Sequence, residues 1–189
     1  VAPDNGLLSY LAARRPPLKT IRLDNREYLL EPVSATFHGR DIFAPAAAHL
    51  AAGIPLRRFG PPVTDPVRFR PPRLEETPGE GLAGEVLLTD RFGDVTTSIG
   101  RLRLSADETD FDPWLAGPRP FRRRTSKRVA RIPDGREVPV LRTFDEVGRG
   151  EALAYVGSDG LLEIAVNGGR AADDMSLRRG QEVILRVEG

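Results

Sequence analysis

From Asp41 to Gly53 the apolar residues Ile42, Phe43, Ala46, Ala47, Leu50 and Ala51 recur at helical spacing, the mark of a helix with one buried face. Asp41 reads as the N-cap. Pro45 falls in the first turn, where backbone amides have no helical partner, and Gly53 followed by Pro55 closes the helix. From Gly84 the pattern changes to short β-type runs: GEVLLTD, DVTTSIGRLRL, VPVLRTF, ALAYVGS, LLEIAVN and EVILRVEG, each bounded by Gly, Asp, Asn or Pro. No convincing long helix separates them, so they predict an antiparallel sheet or small barrel.

The remaining segments are less regular. Pro3, Asp4, Asn5 and Gly6 spell a turn, and Leu7, Leu8, Tyr10 and Leu11 begin a short helix that Arg14 to Pro17 ends. Thr20 to Leu30 alternates loosely, with Asn25 and Arg26 as a strand break. Pro61 to Gly84 carries Pro-Pro twice, a Pro-Gly and several charges, which reads as a connector. No internal repeat is evident.

Composition narrows the classes. A chain of 189 residues with 40% hydrophobic content suits one domain or two small ones. Its 28 basic residues nearly cancel its 27 acidic ones, so no global field selects nucleic acid or an anionic membrane. The absence of cysteine excludes disulfides, a thiolate nucleophile and cysteine-ligated metal. With histidine at positions 38 and 49 alone, no multi-histidine metal cage is expected. No apolar stretch of membrane-spanning length and no signal peptide is seen, which makes the cytoplasm the default. The chain starts at Val1 and runs at once into PDNGLL, a loop-like motif, so sequence is expected to be missing upstream.

One local charge run stands out: Phe121 to Arg131 holds five arginines, one lysine and no acid. It reads either as a phosphate-binding strip with Phe121 as a stacking face, or as a solvated hairpin extension. The acids from Asp107 to Asp112 can neutralise it.

Three constellations can carry chemistry. His38, Gly39, Arg40 and Asp41 place a group titrating near neutrality and a close-approach glycine at a helix N-terminus, able to orient a water or hydroxide. The alternative is an imidazole bonded to loop carbonyls beside a capping Asp41. His49, among alanines inside the helix, reads as structural or exposed. Asp90, Arg91, Phe92, Gly93 and Asp94 set two carboxylates and an aromatic at a glycine turn, suited to ribose hydroxyls or a cationic amine; Asp-x-x-Gly is equally an ordinary turn. Ser158 to Gly160 and then Asn167, Gly168 and Gly169 follow strand runs. Their flexible backbone suits a flat ligand such as an adenine edge, or a tight hairpin turn.

Together, PDNGLLS, TFHGRDIFAPAAAHLA, TDRFGD, RTF at Arg142 to Phe144, and AYVGSDGLLEIAVNGGRAA resemble the S-adenosylmethionine hydroxide adenosyltransferases, relatives of the fluorinase and chlorinase. Order and spacing agree over the whole chain except the connector and the basic insertion. The resemblance implies a mixed α/β fold. Residues 1–62 would be the C-terminal part of an α/β sheet domain, 63–83 a linker, and 84–189 a small antiparallel β-barrel-like domain. It further implies homotrimers with an active site shared between neighbouring subunits. The implied reaction is attack of water or hydroxide on C5' of S-adenosyl-L-methionine, releasing adenosine and L-methionine, with no metal or cofactor.

Carried over, His38 matches the water-positioning histidine, and Gly39 stands where the fluorinase has a halide-contacting serine. Asp90 matches the carboxylate for the methionine amino group, with Phe92 beside it. Asp94 replaces the usual asparagine and adds a carboxylate near the ammonium. Ser158 lies on the methionine carboxylate side, where Asp159 replaces the fluorinase arginine. Asn167 and Gly168 reach adenine, with Phe144 near its ring. The family's TDFG and DPGVG motifs, which supply the ribose-binding aspartate and the partners of His38, do not occur in these residues. The expectation is therefore a fragment that does not turn over alone. Competing readings are a non-catalytic adenosine-binding or oligomerisation remnant and a nucleic-acid-binding barrel.

Overall fold

A computed structural model describes residues 1–14, 19–79, 81–114 and 117–188. The chain divides into two compact units, Val1–Pro71 and Pro72–Gly189.

In the first unit the PDNGLLS turn is tied by its own side chains. Asn5 Oδ1 accepts the Leu7 amide at 3.1 Å, and the Ser9 hydroxyl donates to the Gly6 carbonyl at 2.6 Å. Asp4 and Ser9 also accept the amides of Val67 and Phe69, each at 2.8 Å, which fastens the start of the unit to its end. Helix α1 spans Ser9–Arg14; the rest of its expected terminator, residues 15–17, lies outside the described residues. Thr20 to Leu30 forms an isolated bridge, Ile21 to Pro62, and a 3₁₀ turn, Arg26–Tyr28, capped by Asn25. Tyr28, Ala46 and Phe59 make the small core. Tyr28 packs against Phe59 and, edge-on, against His49, with ring centroids 4.7 and 5.2 Å apart, so His49 has a packing role.

The FHGRD stretch opens the helix with a wide π turn, Gly39–Phe43, closed by the Ala44 amide on the Gly39 carbonyl, and α2 (Ala44–Ala51) follows. Pro45 lies in the first turn of α2. Gly53, at φ +93°, ends it, and the amides of Gly53 and Ile54 bond back to Leu50 and His49, the usual left-handed closure. Asp41 is not the N-cap expected from sequence. The helical turn starts earlier, at His38 and Gly39, so Asp41 lies within it and its buried carboxylate accepts the Ser34 amide at 2.8 Å.

The second unit is built of strands: β1 (Leu74–Thr77), β2 (Gly81–Thr89), β3 (Val95–Gly100), β4 (Leu102–Leu104), β5 (Glu108–Phe111), β6 (Phe121–Arg124), β7 (Lys127–Arg131), β8 (Glu137–Pro139), β9 (Ala152–Val156), β10 (Leu161–Val166) and β11 (Glu182–Glu188), with a short helix α3 (Ala171–Asp174). The main sheet is antiparallel in the order β8-β7-β11-β2-β3-β10-β9, with β1 added to β2. A bridge from Val140 to Ala154 links the end of β8 to β9, so the sheet nearly closes into a barrel. Its inward face carries Leu82, Val86, Val95, Leu162, Ile164 and Leu185, all fully buried. The unit boundary after Pro71 falls inside the segment read as a connector, and the second half of that segment is strand: Leu74 pairs with Gly84 and Thr77 with Gly81.

The basic run forms β6 and β7, which belong to different sheets. β6 lies beside β5, setting Arg122 against Asp110 and Arg124 against Glu108. Arg122 pairs with Glu108 at 3.2 Å and Arg123 with Glu76 at 2.6 Å, while Arg128 donates to Thr109 and to the Ser105 and Glu108 carbonyls. Phe121 packs on Phe111, and Arg123 lies over its ring at 4.4 Å. Arg122 and Arg123 are thus answered by neighbouring acids, and Arg128 by a hydroxyl and two carbonyls.

Candidate functional site

The TDRFGD turn joins β2 to β3, and Asp90 organises it. One oxygen, Oδ1, accepts the amides of Phe92, Gly93 and Asp94 at 2.8, 2.9 and 2.9 Å. Gly93 has φ +95°, and a β-carbon there would sit 2.7 Å from Arg170 Cβ. Glycine therefore lets the turn meet the start of α3, where the Ala172 amide donates to the Gly93 carbonyl at 3.0 Å. Phe92 projects outward, 61% exposed, with the Arg91 guanidinium 4.6 Å from its ring centre.

Asp94 ends the turn against the outer face of the barrel. On neighbouring strands Tyr155 of β9 and Glu163 of β10 are register partners. The Tyr155 hydroxyl donates to Glu163 Oε2 at 2.6 Å and makes a longer contact, 3.4 Å, with Asp94 Oδ2. Partial burial raises the Asp94 carboxyl above its ordinary range, the charges of Asp90 and Glu163 add to this, and the Tyr155 bond opposes it. Tyr155 is pushed up in turn, by burial and then by Glu163. The sequence assigns no role to Tyr155 or to Glu163, which lies in the run between Ser158 and Asn167; the signal for both is a polar residue at an outward position of an apolar run.

These groups predict a stability effect. A carboxyl that keeps its proton to higher pH in the folded state than in the unfolded chain opposes folding once ionised. The penalty fades below about pH 3.5, where both states are mostly protonated, and grows as pH rises through the folded value. Asp94→Asn should therefore raise the melting temperature at pH 7 by about 1–2 °C, a small gain because solvent screens much of the group. Thermal scans at pH 7 and pH 3.5 check this: the gain must fade at the lower pH.

Beside the cluster lies a loop that carries Phe144. Glu146 accepts the amides of Arg142 and Thr143 at 2.7 and 3.0 Å, forming a capping box around the turn that carries Phe144. The Phe144 ring centroid is 5.3 Å from that of Tyr155. Asn167 fastens the loop: its side-chain amide donates to the Phe144 and Val147 carbonyls at 3.3 and 3.0 Å. Its main chain bonds Gly150 and Glu151. Both amide hydrogens of Asn167 are thereby engaged, and Oδ1 is the side chain's acceptor. The Asn167–Gly168–Gly169 turn leads into α3, not into a hairpin strand. Ser158 sits on the exposed β9–β10 turn, at the other end of those strands from Asn167. Asp90, Phe92, Asp94, Phe144, Asn167 and Gly168 thus lie on one side of the barrel or on loops bonded to it.

His38 and Gly39 belong to the first unit. His38 is exposed at the mouth of the π turn, and a β-carbon at Gly39 would meet nothing within 4 Å, so the turn presents an open surface. Beneath it Arg40 grips Asp41 through two hydrogen bonds of 2.5 and 3.0 Å and lies 5.1 Å from the Phe37 ring centre. The Arg40 bonds, followed by the Ser34 amide, hold Asp41 down to about 2, so at neutral pH this pair is a fixed support for the turn. Among the described residues no group of three or more His, Cys, Asp or Glu could hold a metal ion, and no helix is long and apolar enough to cross a membrane.

A helical unit followed by a nearly closed antiparallel barrel, with a carboxylate turn and an aromatic pair on one side, defines a mixed α/β protein of two units. Residues 84–184 match the SAM hydroxide adenosyltransferase C-terminal domain and residues 1–60 the SAM hydroxide adenosyltransferase N-terminal domain. The chain belongs to the SAM hydroxide adenosyltransferase family. It is 42% identical to an (R)-S-adenosyl-L-methionine hydrolase of Salinispora tropica, over 99% of this chain and 64% of the relative. A protein of the same name from Thermus thermophilus is 39% identical, over 98% of this chain and 65% of the relative. Among solved structures, an uncharacterized conserved protein from Thermotoga maritima matches with TM-score 0.62 and 34% identity, over 98% of this chain and 66% of that one. The chain thus spans about 65% of the length of the Thermus hydrolase.

Proposed function

We propose that the protein acts in hydrolysis of S-adenosyl-L-methionine, with water or hydroxide attacking C5' of the ribose to give adenosine and L-methionine. The observation that carries this reading is the juxtaposition on the barrel of an acidic turn and an aromatic loop. Asp90, Asp94 and Glu163 suit a ligand that is cationic at one end, and Phe144 beside Asn167 suits a flat base at the other. The two hydrolase relatives support it by name.

The chemistry asks little of the protein beyond placement. The sulfonium leaves as a neutral thioether, so no acid must protonate it and the displacement uses no cofactor. What accelerates the step is in-line alignment, removal of bulk water and a held nucleophile. His38, at the open mouth of the π turn, is the group assigned to hold the water, and Gly39 leaves room for it without supplying a halide-binding hydroxyl. The same reading takes the enzyme as cytoplasmic and homotrimeric, with a site shared between subunits.

The test is to incubate the full-length protein with S-adenosyl-L-methionine and chromatograph the products. Adenosine and methionine should appear in equal amounts, and His38→Ala should slow their release by about a hundredfold, the usual scale for losing the alignment of a reactant. A mutant of unchanged rate would remove His38 from the reaction, and wild-type protein that binds adenosine without turnover would leave only a binding role.

A further inference from the structure

Tyr155 touches both ends of the proposed site. One face of its ring meets Phe144, with centroids 5.3 Å apart and planes inclined by 56°, so it backs the aromatic that faces the base. Its hydroxyl reaches Glu163 at 2.6 Å and Asp94 at 3.4 Å. A phenol has one proton, which lies between these two carboxylate acceptors and nearer to Glu163. Asp94 is in turn on the same turn as Asp90, whose Oδ1 is occupied by three amides.

We infer that Tyr155 is a positioning residue that couples the two halves of the site, its ring setting Phe144 for the base and its hydroxyl setting Asp94 and Glu163 for the ammonium group. The inference rests on the hydrolase reading above, which supplies a ligand with both ends. Its physical content is that one side chain fixes the spacing between base and ammonium, so that a ligand carrying both is held better than either part. The groups facing Asp94 are Asp90 on its own turn, Tyr155 on β9 and Glu163 on β10. Two cations border the turn, Arg91 on it and Arg170 at the start of α3, the latter donating to the Arg91 carbonyl at 3.1 Å.

Two probes separate the ends: adenosine, and S-adenosyl-L-homocysteine, which adds the ammonium group but lacks the sulfonium that reacts. Calorimetric titration of the full chain should show Tyr155→Phe binding adenosine within about twofold of wild type and S-adenosyl-L-homocysteine about tenfold more weakly. The Tyr155 bond holds the Asp94 carboxyl down. Removing the hydroxyl should therefore also move the pH at which S-adenosyl-L-homocysteine affinity rises to a higher value, a shift that a purely structural role would not produce. Glu163→Ala, which removes the acceptor of the 2.6 Å bond while leaving the ring in place, should reproduce the selective loss, and Tyr155→Leu should weaken adenosine as well. Equal losses for both probes in Tyr155→Phe and Glu163→Ala, or no loss in either, overturn the coupling. Failure of wild type to bind either probe is a different result: it overturns the hydrolase reading, and this inference with it.

Discussion

Asp90→Ala should weaken binding of S-adenosyl-L-homocysteine by about a hundredfold and lower stability by about 2 kcal/mol, whereas Asp90→Asn should lose the binding and keep the stability. In the proposed site the two oxygens of this carboxylate would have separate tasks. Oδ1 is surrounded by the amides of Phe92, Gly93 and Asp94, and removing it leaves those donors to water, at a net cost of about 1 kcal/mol or less each on an exposed turn. An asparagine oxygen can accept the same three amides, so the turn persists in Asp90→Asn. What the amide cannot replace is the negative charge opposite a ligand ammonium, and losing one partner of a bonded charge pair costs about 2–5 kcal/mol in binding. Thermal melts and calorimetry on the two variants separate these effects. Equal melting temperatures for alanine and asparagine would show that the turn does not depend on Oδ1. Undiminished binding in Asp90→Asn would take the charge out of ligand recognition.

What could be read in the sequence was whatever is decided within a few residues. Gly53 after an apolar helical stripe, Pro45 in the first turn and the Asp-x-x-Gly turn at Asp90 act locally, and the structure has each of them. The apolar alternation of GEVLLTD, ALAYVGS, LLEIAVN and EVILRVEG likewise became β2, β9, β10 and β11. Asp41 shows the limit of local logic. Its spacing suits a cap, but the amide it accepts belongs to Ser34, outside the helix, and the turn begins earlier as a result. DVTTSIGRLRL reads as one strand, yet it divides between two sheets at Gly100, where a β-carbon would lie 2.6 Å from the Gly160 carbonyl. β5 and β6 lacked apolar alternation because cross-strand Arg and acid pairs form much of their exposed surface.

The site was legible in the same uneven way. Asp90, Phe92 and Asp94 announce themselves as a turn. The groups that condition Asp94 do not, because Tyr155 is 61 residues away and meets it only through the register of β9, β10 and β3. Asn167 is expected to reach adenine, and its amide hydrogens also hold the Phe144 loop. That second task follows from where the loop returns, which no local motif encodes.

Ile164→Ala should lower the stability of the protein by about 3 kcal/mol, within the range for emptying a buried isoleucine site, while leaving ligand affinity of the folded protein within about twofold. Ile164 is fully buried on β10, paired with Val95 of β3 on one side and Ala154 of β9 on the other, so no neighbouring strand can close on the gap without breaking its own ladder. In melting temperature the change amounts to about 6–12 °C for a chain of this size. The separation from binding follows from strand periodicity: side chains alternate between faces, so Leu162, Ile164 and Val166 fill the barrel while Glu163 between them points to Tyr155 on the outer face. One strand thus carries the core on one side and the proposed site on the other. Thermal denaturation together with adenosine titration well below the melting point tests both halves. A melting temperature within 2 °C of wild type would mean that the barrel interior is not the main source of stability. A tenfold loss of affinity at full folding would show that core packing sets the geometry of Glu163 and, through it, of Asp94.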